Sequence, residues 1–339
     1  MRVLPALLLL PMMAVAGELT PAQRLGKALF FDASLSEPAG QSCATCHVPE
    51  TAFSSADLRK GTRTPPSVSY AAFSPFLRWD RRDGSYSGGQ FRDGRAADLT
   101  EQAKGPLLNP LEMNNPDGTA VCRKAMGYAK EFSDVFEEAL DCSTNGFERI
   151  AEAIAAYEGS DEVNPFSSKY DAALAGRAAL SAAELHGLEL FRGAAKCERC
   201  HPSKVGPRGE RPLFTDFGYD NIGAPKNPAN PKDFVDEGLG AFLKKPSEDG
   251  KFKTPTLRNV GAAGAFMHNG ALKSLEEVVE FYNRRDREPS RWAAEEPRNV
   301  NRAEMGALGL TAQDEADLVA FLKTLTDNYP VRTGSARSP

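Results

Sequence analysis

Two copies of Cys-x-x-Cys-His, Cys43–His47 and Cys197–His201, constrain this chain more than anything else in its 339 residues. They use four of its six cysteines and two of its four histidines. Two closely spaced thiols followed at once by an imidazole are the attachment signature of a c-type haem. The thiols add across the two vinyl groups, and the histidine binds iron on the proximal side. A zinc site or a thioredoxin-like dithiol would draw on the same residue types, but two copies in two repeated halves disfavour both. The reading is two covalent haem c groups, one held by Cys43, Cys46 and His47 and the other by Cys197, Cys200 and His201.

The rest of the chain repeats with the motif. Thr20-Pro21-Ala22-Gln23 leads to Gly26 and Leu29-Phe30, and Ser181-Ala182-Ala183-Glu184 leads to Gly187 and Leu190-Phe191. Both are helix starts with a hydroxyl cap and a Gln or Glu at the capping-box position. Arg63-Thr64-Pro65 is echoed by Lys253-Thr254-Pro255, and Asp93-Gly94 with Leu99 by Asn269-Gly270 with Leu275. An amphipathic helix closes each half, near Phe147–Tyr157 and from Thr311 to Leu325. Strand signals are sparse, and Pro and Gly punctuate long loops at 85–90 and 202–230. The expected fold is mainly α: two cytochrome c-like helical domains, 17–165 and 166–330, each with one haem, and a disordered tail over 331–339.

Met1-Arg2, an apolar run from Val3 to Val15 and Ala14-Val15-Ala16 read as a secretory signal peptide over 1–16. Thirteen apolar residues fall short of the roughly 20 that span a bilayer, so export to the periplasm, with no membrane span, is expected. Disulfides persist there; Cys122 and Cys142 are expected to pair, with two buried thiols as the other reading. The net charge of −5 argues against nucleic acid as a partner, since such partners select a basic face.

The distal side of each haem decides the chemistry, because a sealed haem carries electrons and an open one binds peroxide or oxygen. No histidine lies between residues 48 and 185, so the first domain offers none to close its own haem. Aligning Arg92-Asp93-Gly94 with His268-Asn269-Gly270 puts Pro106 and Tyr282 each 14 residues further on. Proline cannot ligate iron, whereas a tyrosine phenolate can. Met267 is the rival ligand, and a core aromatic is the plain reading of Tyr282.

At these residues the chain resembles the bacterial di-haem cytochrome c peroxidase family, in its MauG-like branch. The resemblance covers nearly all of the mature chain. It rests on Gly88–Phe91, Asp93–Ala96, Glu101–Pro106, Asn109–Met113, Lys253–Asn259 and Met267–Gly270. It implies an amino-terminal haem that reacts with hydrogen peroxide and a carboxy-terminal low-spin haem with Tyr282 as its sixth ligand. It also implies Glu112 as the acid–base group for O–O cleavage, Gln102 lining the same pocket and Pro106 covering the open iron face. A carboxylate suits the task, since heterolysis moves a proton from one peroxide oxygen to the other. Glu112 as a solvated loop acid and Gln102 as a plain helix-face residue are the alternatives. The resemblance further implies calcium between the domains, held in part by the Ala263 and Ala265 carbonyls, with Tyr70 where an Asn often stands. It places His268 beside a haem propionate.

Two further positions depart from the family pattern. Arg92 stands where a tryptophan commonly separates the haems. It cannot carry a hole but can pair with propionates, and Trp79 is the candidate spatial substitute. Ala195 replaces a surface tryptophan two residues before the second motif that one protein-modifying relative uses. Phe214, Phe217 and Tyr219 read as docking surface or as packing. The expected function is a periplasmic di-haem peroxidase fed by a small cytochrome or copper protein. The alternatives are MauG-like oxidation of a Trp or Tyr on a partner protein, and a sealed di-haem electron carrier with Met113 or Met126 on the first iron.

Overall fold

The computed structural model describes residues 18–54, 61–81 and 84–330; the expected signal peptide and tail lie outside them. The chain is mainly helical with little sheet. In the first half come α1 (Pro21–Phe31), α2 (Cys43–Cys46), α3 (Leu99–Leu108), α4 (Gly118–Lys124), α5 (Ala129–Phe136) and α6 (Gly146–Glu158). In the second come α7 (Lys169–Leu174), α8 (Ala182–Arg192), α9 (Leu239–Leu243), α10 (Leu275–Arg284) and α11 (Ala312–Lys323). Two short antiparallel ribbons complete it, β1 (Arg78–Asp80) with β2 (Ser85–Ser87), and β3 (Tyr219–Asp220) with β4 (Phe252–Lys253).

The repeat is visible in how each half is built. α1 and α8 both begin with a complete capping box, Thr20 with Gln23 and Ser181 with Glu184. Each crosses the last helix of its half at a glycine. A Cβ on Gly26 would lie 1.8 Å from the Ala153 carbonyl oxygen of α6, and one on Gly187 2.0 Å from that of Asp317 in α11. Only glycine allows helix backbones this close. Each crossing buries an aromatic core, Phe30 against Tyr157 in one half and Phe191 against Phe321 in the other.

The correspondence continues into the loops. Phe91 and Met267, preceding Arg92 and His268, both take the left-handed conformation, at φ +61° and +69°. Isolated bridges Gln90–Ala96 and Phe266–Leu272 then close matching turns. α3 and α10 follow, each ten residues long and capped by a side chain, Asp98 and Ser274. Pro106 and Tyr282 are the eighth residues of these two helices.

In the first half Cys122 and Cys142 form a disulfide between α4 and the turn before α6. The halves are tied by Tyr70, whose hydroxyl donates to Asp327 at 2.7 Å and accepts from the Phe166 N–H at 2.9 Å. Arg258, fully buried, pairs with Asp171 at 2.9 Å beneath the Tyr70 and Phe166 rings.

Candidate haem sites

His201 and His47 are held alike. Nδ1 of His201 lies 2.7 Å from the Phe214 carbonyl oxygen and Nδ1 of His47 lies 3.2 Å from that of Phe53. When Nδ1–H donates to a carbonyl, the tautomer is fixed and Nε2 is left as the basic nitrogen a metal needs. Burial lowers both imidazoles, that of His201 to about 4, so both stay neutral. Burial also pushes the thiols of Cys43, Cys197 and Cys200 up to about 12. A thioredoxin-like dithiol needs the opposite shift.

A cavity of ≈340 Å³ opens from the second motif and is lined by Cys197, Cys200, His201 and Tyr282. Burial raises the Tyr282 phenol, with the Cys200 and Cys197 thiols adding to the shift. Met267, the rival ligand, lines the cavity as well. At another part of the wall stand Arg92 and Lys253. Desolvation pushes Arg92 down to about 10, with Arg63 adding to the shift, and Lys253 to about 8, with Arg92 adding. Arg92 donates to the Thr64 carbonyl at 3.0 Å and hydroxyl at 2.8 Å, and neither cation pairs with a carboxylate among the described residues. Two desolvated cations that feel Asp236 and Asp93 only at a distance, with no directly paired carboxylate among the described residues, face a cavity that also carries two thiols and an aimed imidazole, and this fits a haem with its two carboxylates. His268 shares this wall, stacked at 3.8 Å on Phe252 with Nε2 3.3 Å from Glu295.

The first site is assembled around a loop. Glu112 follows α3, and the segment before the first motif is stitched to it. Gln41 donates to the Glu112 carbonyl at 3.1 Å, and the Glu37 N–H donates to that of Met113 at 2.8 Å. The Cys43 thiol feels the charges of Glu158 and Glu112. Burial raises the Glu112 carboxyl above its ordinary range, against the opposing pull of the Arg95 cation and a hydrogen bond from Asn109. Gln102 and Pro106, one turn apart, share a face of α3.

Residues 63–66 join the two sites. Arg63 pairs with Asp93 and Asp236, both at 2.6 Å. Thr64 receives Arg92 and donates its N–H to the His268 carbonyl at 2.9 Å, while the Pro66 backbone acts on His47. Sequence reasoning did not assign Thr64, Lys253 or Arg95 to a site. Lys253 stood in the Arg63/Lys253 echo, and that pairing was its signal.

Other expectations find their places. Trp79 is 47 % exposed on β1, outside the cavity lining. Ala195, Phe214 and Tyr219 are buried, so the aromatic loop is packing there. Met113 lies in the first core, and Met126 is exposed with its sulfur 3.8 Å from that of Cys142. His186, on α8 and without an expected role, pairs with Asp317 at 2.7 Å. Ala263 and Ala265 line the cavity, but the Tyr70 hydroxyl is committed to Asp327. Among the described residues no group of three or more His, Cys, Asp or Glu is placed to hold a metal ion. The implied calcium donors are not assembled at Tyr70.

Two Cys-Cys-His sites in equivalent helical frames are the marks of the c-type di-haem class. Residues 20–179 match the family model described as di-haem cytochrome c peroxidase. The chain is 38 % identical to methylamine utilization protein MauG of Paracoccus denitrificans, over 95 % of this chain and 94 % of that one. It is 31 % identical to cytochrome c551 peroxidase of Nitrosomonas europaea, over 94 % and 84 %. The crystal structure of the diheme peroxidase BthA from Burkholderia thailandensis superposes with a TM-score of 0.80 at 36 % identity, over 93 % and 88 %. The chain belongs to the di-haem cytochrome c peroxidase family, which includes MauG. It is a haem oxidoreductase of the peroxidase type, and its family implies two haem c cofactors.

Proposed function

We propose that this chain reduces hydrogen peroxide at the haem carried by Cys43, Cys46 and His47. Cys197, Cys200 and His201 would hold a second haem, with Tyr282 as its further ligand, and that haem would supply the electron relay to the first. The supporting observation is the shared eighth position of α3 and α10, occupied by a residue that cannot bind iron in one half and by a phenol in the other. Bound haem supplies iron for peroxide at the first site and a one-electron relay at the second. Each peroxide consumes two electrons and two protons and yields two waters.

The protein's own part is positional and protonic. The Nδ1 bonds of His47 and His201 orient each imidazole and leave Nε2 as the nitrogen that would bind haem iron. Glu112 takes the proton from one peroxide oxygen and returns it to the other. Its raised carboxyl keeps that proton exchangeable nearer neutrality than an ordinary glutamate does. Gln102 lines this pocket and Pro106 leaves the face open. Arg92 and Lys253 hold the carboxylates of the second haem. The Arg92 guanidinium cannot be oxidised, so no side-chain radical is placed between the haems at this position.

The electron source is a small redox protein, a cytochrome or a copper protein, in the periplasm. No helix among the described residues is long and apolar enough to cross a membrane. Tyr282 also favours a second reading, peroxide-dependent oxidation of a Trp or Tyr on a partner protein, because a phenolate ligand stabilises ferric iron and opposes a half-reduced resting enzyme. Stoichiometric hydrogen peroxide added to the fully ferric holoprotein, followed by absorbance and EPR, tests the assignment. Immediate loss of both ferric signals supports an open first site, Tyr282 ligation and the MauG-like reading. Inertness until one haem is reduced would overturn the permanently open first site.

A further inference from the structure

One face of the molecule carries exposed rings and unpaired cations together. Trp79 on β1 meets the Tyr86 ring of β2 edge-on, with centroids 4.8 Å apart. Lys245, just beyond α9, donates to the Tyr86 hydroxyl at 2.6 Å and lies 5.1 Å and 5.9 Å from the Tyr86 and Trp79 ring centres. Phe76, leading into β1, and Phe242, on α9, are exposed as well. Lys244, next to Lys245 in the chain, is exposed, as are Arg78 and Arg81 at the two ends of β1, and none pairs with a carboxylate among the described residues. This basic cluster sits on a chain with 46 acidic and 41 basic residues.

Tryptophan, tyrosine and a fixed cation are what interface hot spots are made of. A positive patch on an acidic protein steers an acidic partner to that one face and repels it from the rest. The hairpin is also continuous with the second haem site. Ser87 bridges to Gly218, and the Gly88 N–H donates at 2.9 Å to the carbonyl of Phe217, which lines the cavity. The ammonium beside both rings makes removing an electron from either costlier, so the rings serve as contact surface and not as a relay.

We infer that this face docks the electron donor, a small acidic redox protein whose apolar patch covers Trp79 and whose carboxylates meet Lys244 and Lys245. The inference rests on the peroxidase reading above. Two donor molecules each lose one electron to the second haem, and one peroxide with two protons becomes two waters.

The test uses the holoenzyme, its Trp79→Ala and Lys245→Glu variants, a reduced acidic c-type cytochrome, a reduced basic one, and ferrocyanide as a donor that needs no docking. Binding of each cytochrome is measured by calorimetry at low and high salt, alongside peroxide-dependent oxidation. The expected result is salt-sensitive binding of the acidic cytochrome, weakened at least tenfold by either substitution. KM for that donor should rise by a similar factor, with kcat and the ferrocyanide rate unchanged. Unaltered binding in both variants overturns the inference, as does equal binding of the basic cytochrome or self-association through this face in sedimentation. Absence of ferrocyanide activity in the parent enzyme would refute the peroxidase reading instead, and the calorimetry would still decide the docking face.

Discussion

The Arg95 guanidinium lies 3.6 Å above the centre of the Phe91 ring. It also pairs with Asp93 at 2.8 Å and exerts its charge on Glu112. The far edge of Phe91 abuts α3, where a Cβ on Gly105 would come within 3.1 Å of its Cζ. One cation therefore fixes an aromatic wall beside Pro106 and biases the proton on the proposed acid–base group.

Glu112→Gln should slow the reaction of the ferric holoprotein with peroxide by about 10²- to 10⁴-fold, the usual worth of a positioned proton carrier. The absorption spectrum should stay unchanged. Glu112 must be ionised to accept the first proton. Its carboxyl is raised by burial, so the acid limb of the rate profile should lie above the ordinary glutamate value of about 4.3. In the Gln variant that limb should vanish. Stopped-flow rates from pH 4 to 8 check both points.

Arg95→Gln should displace the same limb further. The cation lowers the Glu112 carboxyl; removing it leaves only the Asn109 hydrogen bond to oppose burial, so the limb moves to higher pH and the rate at pH 6 falls. Arg95→Lys keeps the charge and should restore most of the profile. A variant that loses rate equally at every pH would show Arg95 to be structural only.

Arg92→Met should lower the midpoint potential of the second haem, because a cation beside the cavity favours the reduced state. Losing about 1.4 kcal/mol of that interaction corresponds to about 60 mV for one electron. The same substitution removes the repulsion that lowers Lys253, so Lys253 should stay protonated to higher pH in the variant. A spectroelectrochemical titration at several pH values reads both effects.

Much of the architecture was legible because the chain is duplicated. The capping residue and the crossing glycine stand six residues apart in both halves, Thr20 with Gly26 and Ser181 with Gly187, and each half closes on a helix, near Tyr157 and near Leu325. The shared helix position of Pro106 and Tyr282 could likewise be counted from residue numbers. Contacts between the halves could not, because no period links Thr64 to His268 or Tyr70 to Asp327. Trp79 illustrates the limit: spacing offered it as a substitute between the haems, and the β1–β2 pairing turns it to the surface. Short helices such as α4 and α9, and the ribbons, carry too few residues for a periodic signal, and tertiary packing decides them.

Replacing Cys122 and Cys142 together by Ala should destabilise the first half by roughly 3 kcal/mol, the loop-closure entropy expected for a 20-residue separation. The bridge joins α4 to the turn before α6, away from the second core, so the second half should keep its own transition. Denaturant unfolding followed separately by the two Soret bands checks this. Equal loss in both halves would mean that they unfold as one unit.

The glycine crossings give a matched pair of substitutions. A methyl at 26 or 187 meets a backbone carbonyl at 1.8 Å or 2.0 Å, and a backbone atom cannot swing aside as a side chain can. The helices must separate, loosening Phe30 from Tyr157 in one half or Phe191 from Phe321 in the other. Overpacking of this kind costs about 1–3 kcal/mol, with little relief from the lower unfolded-state entropy of alanine. Gly26→Ala should weaken the first half and Gly187→Ala the second, each by that amount. Gly127→Ala, where nothing lies within 4 Å of the added methyl, should be close to neutral. Thermal unfolding of the three variants, with haem content confirmed first, separates the crossing from a general intolerance of alanine: a loss at Gly127 as large as at Gly187 would refute the close-approach argument.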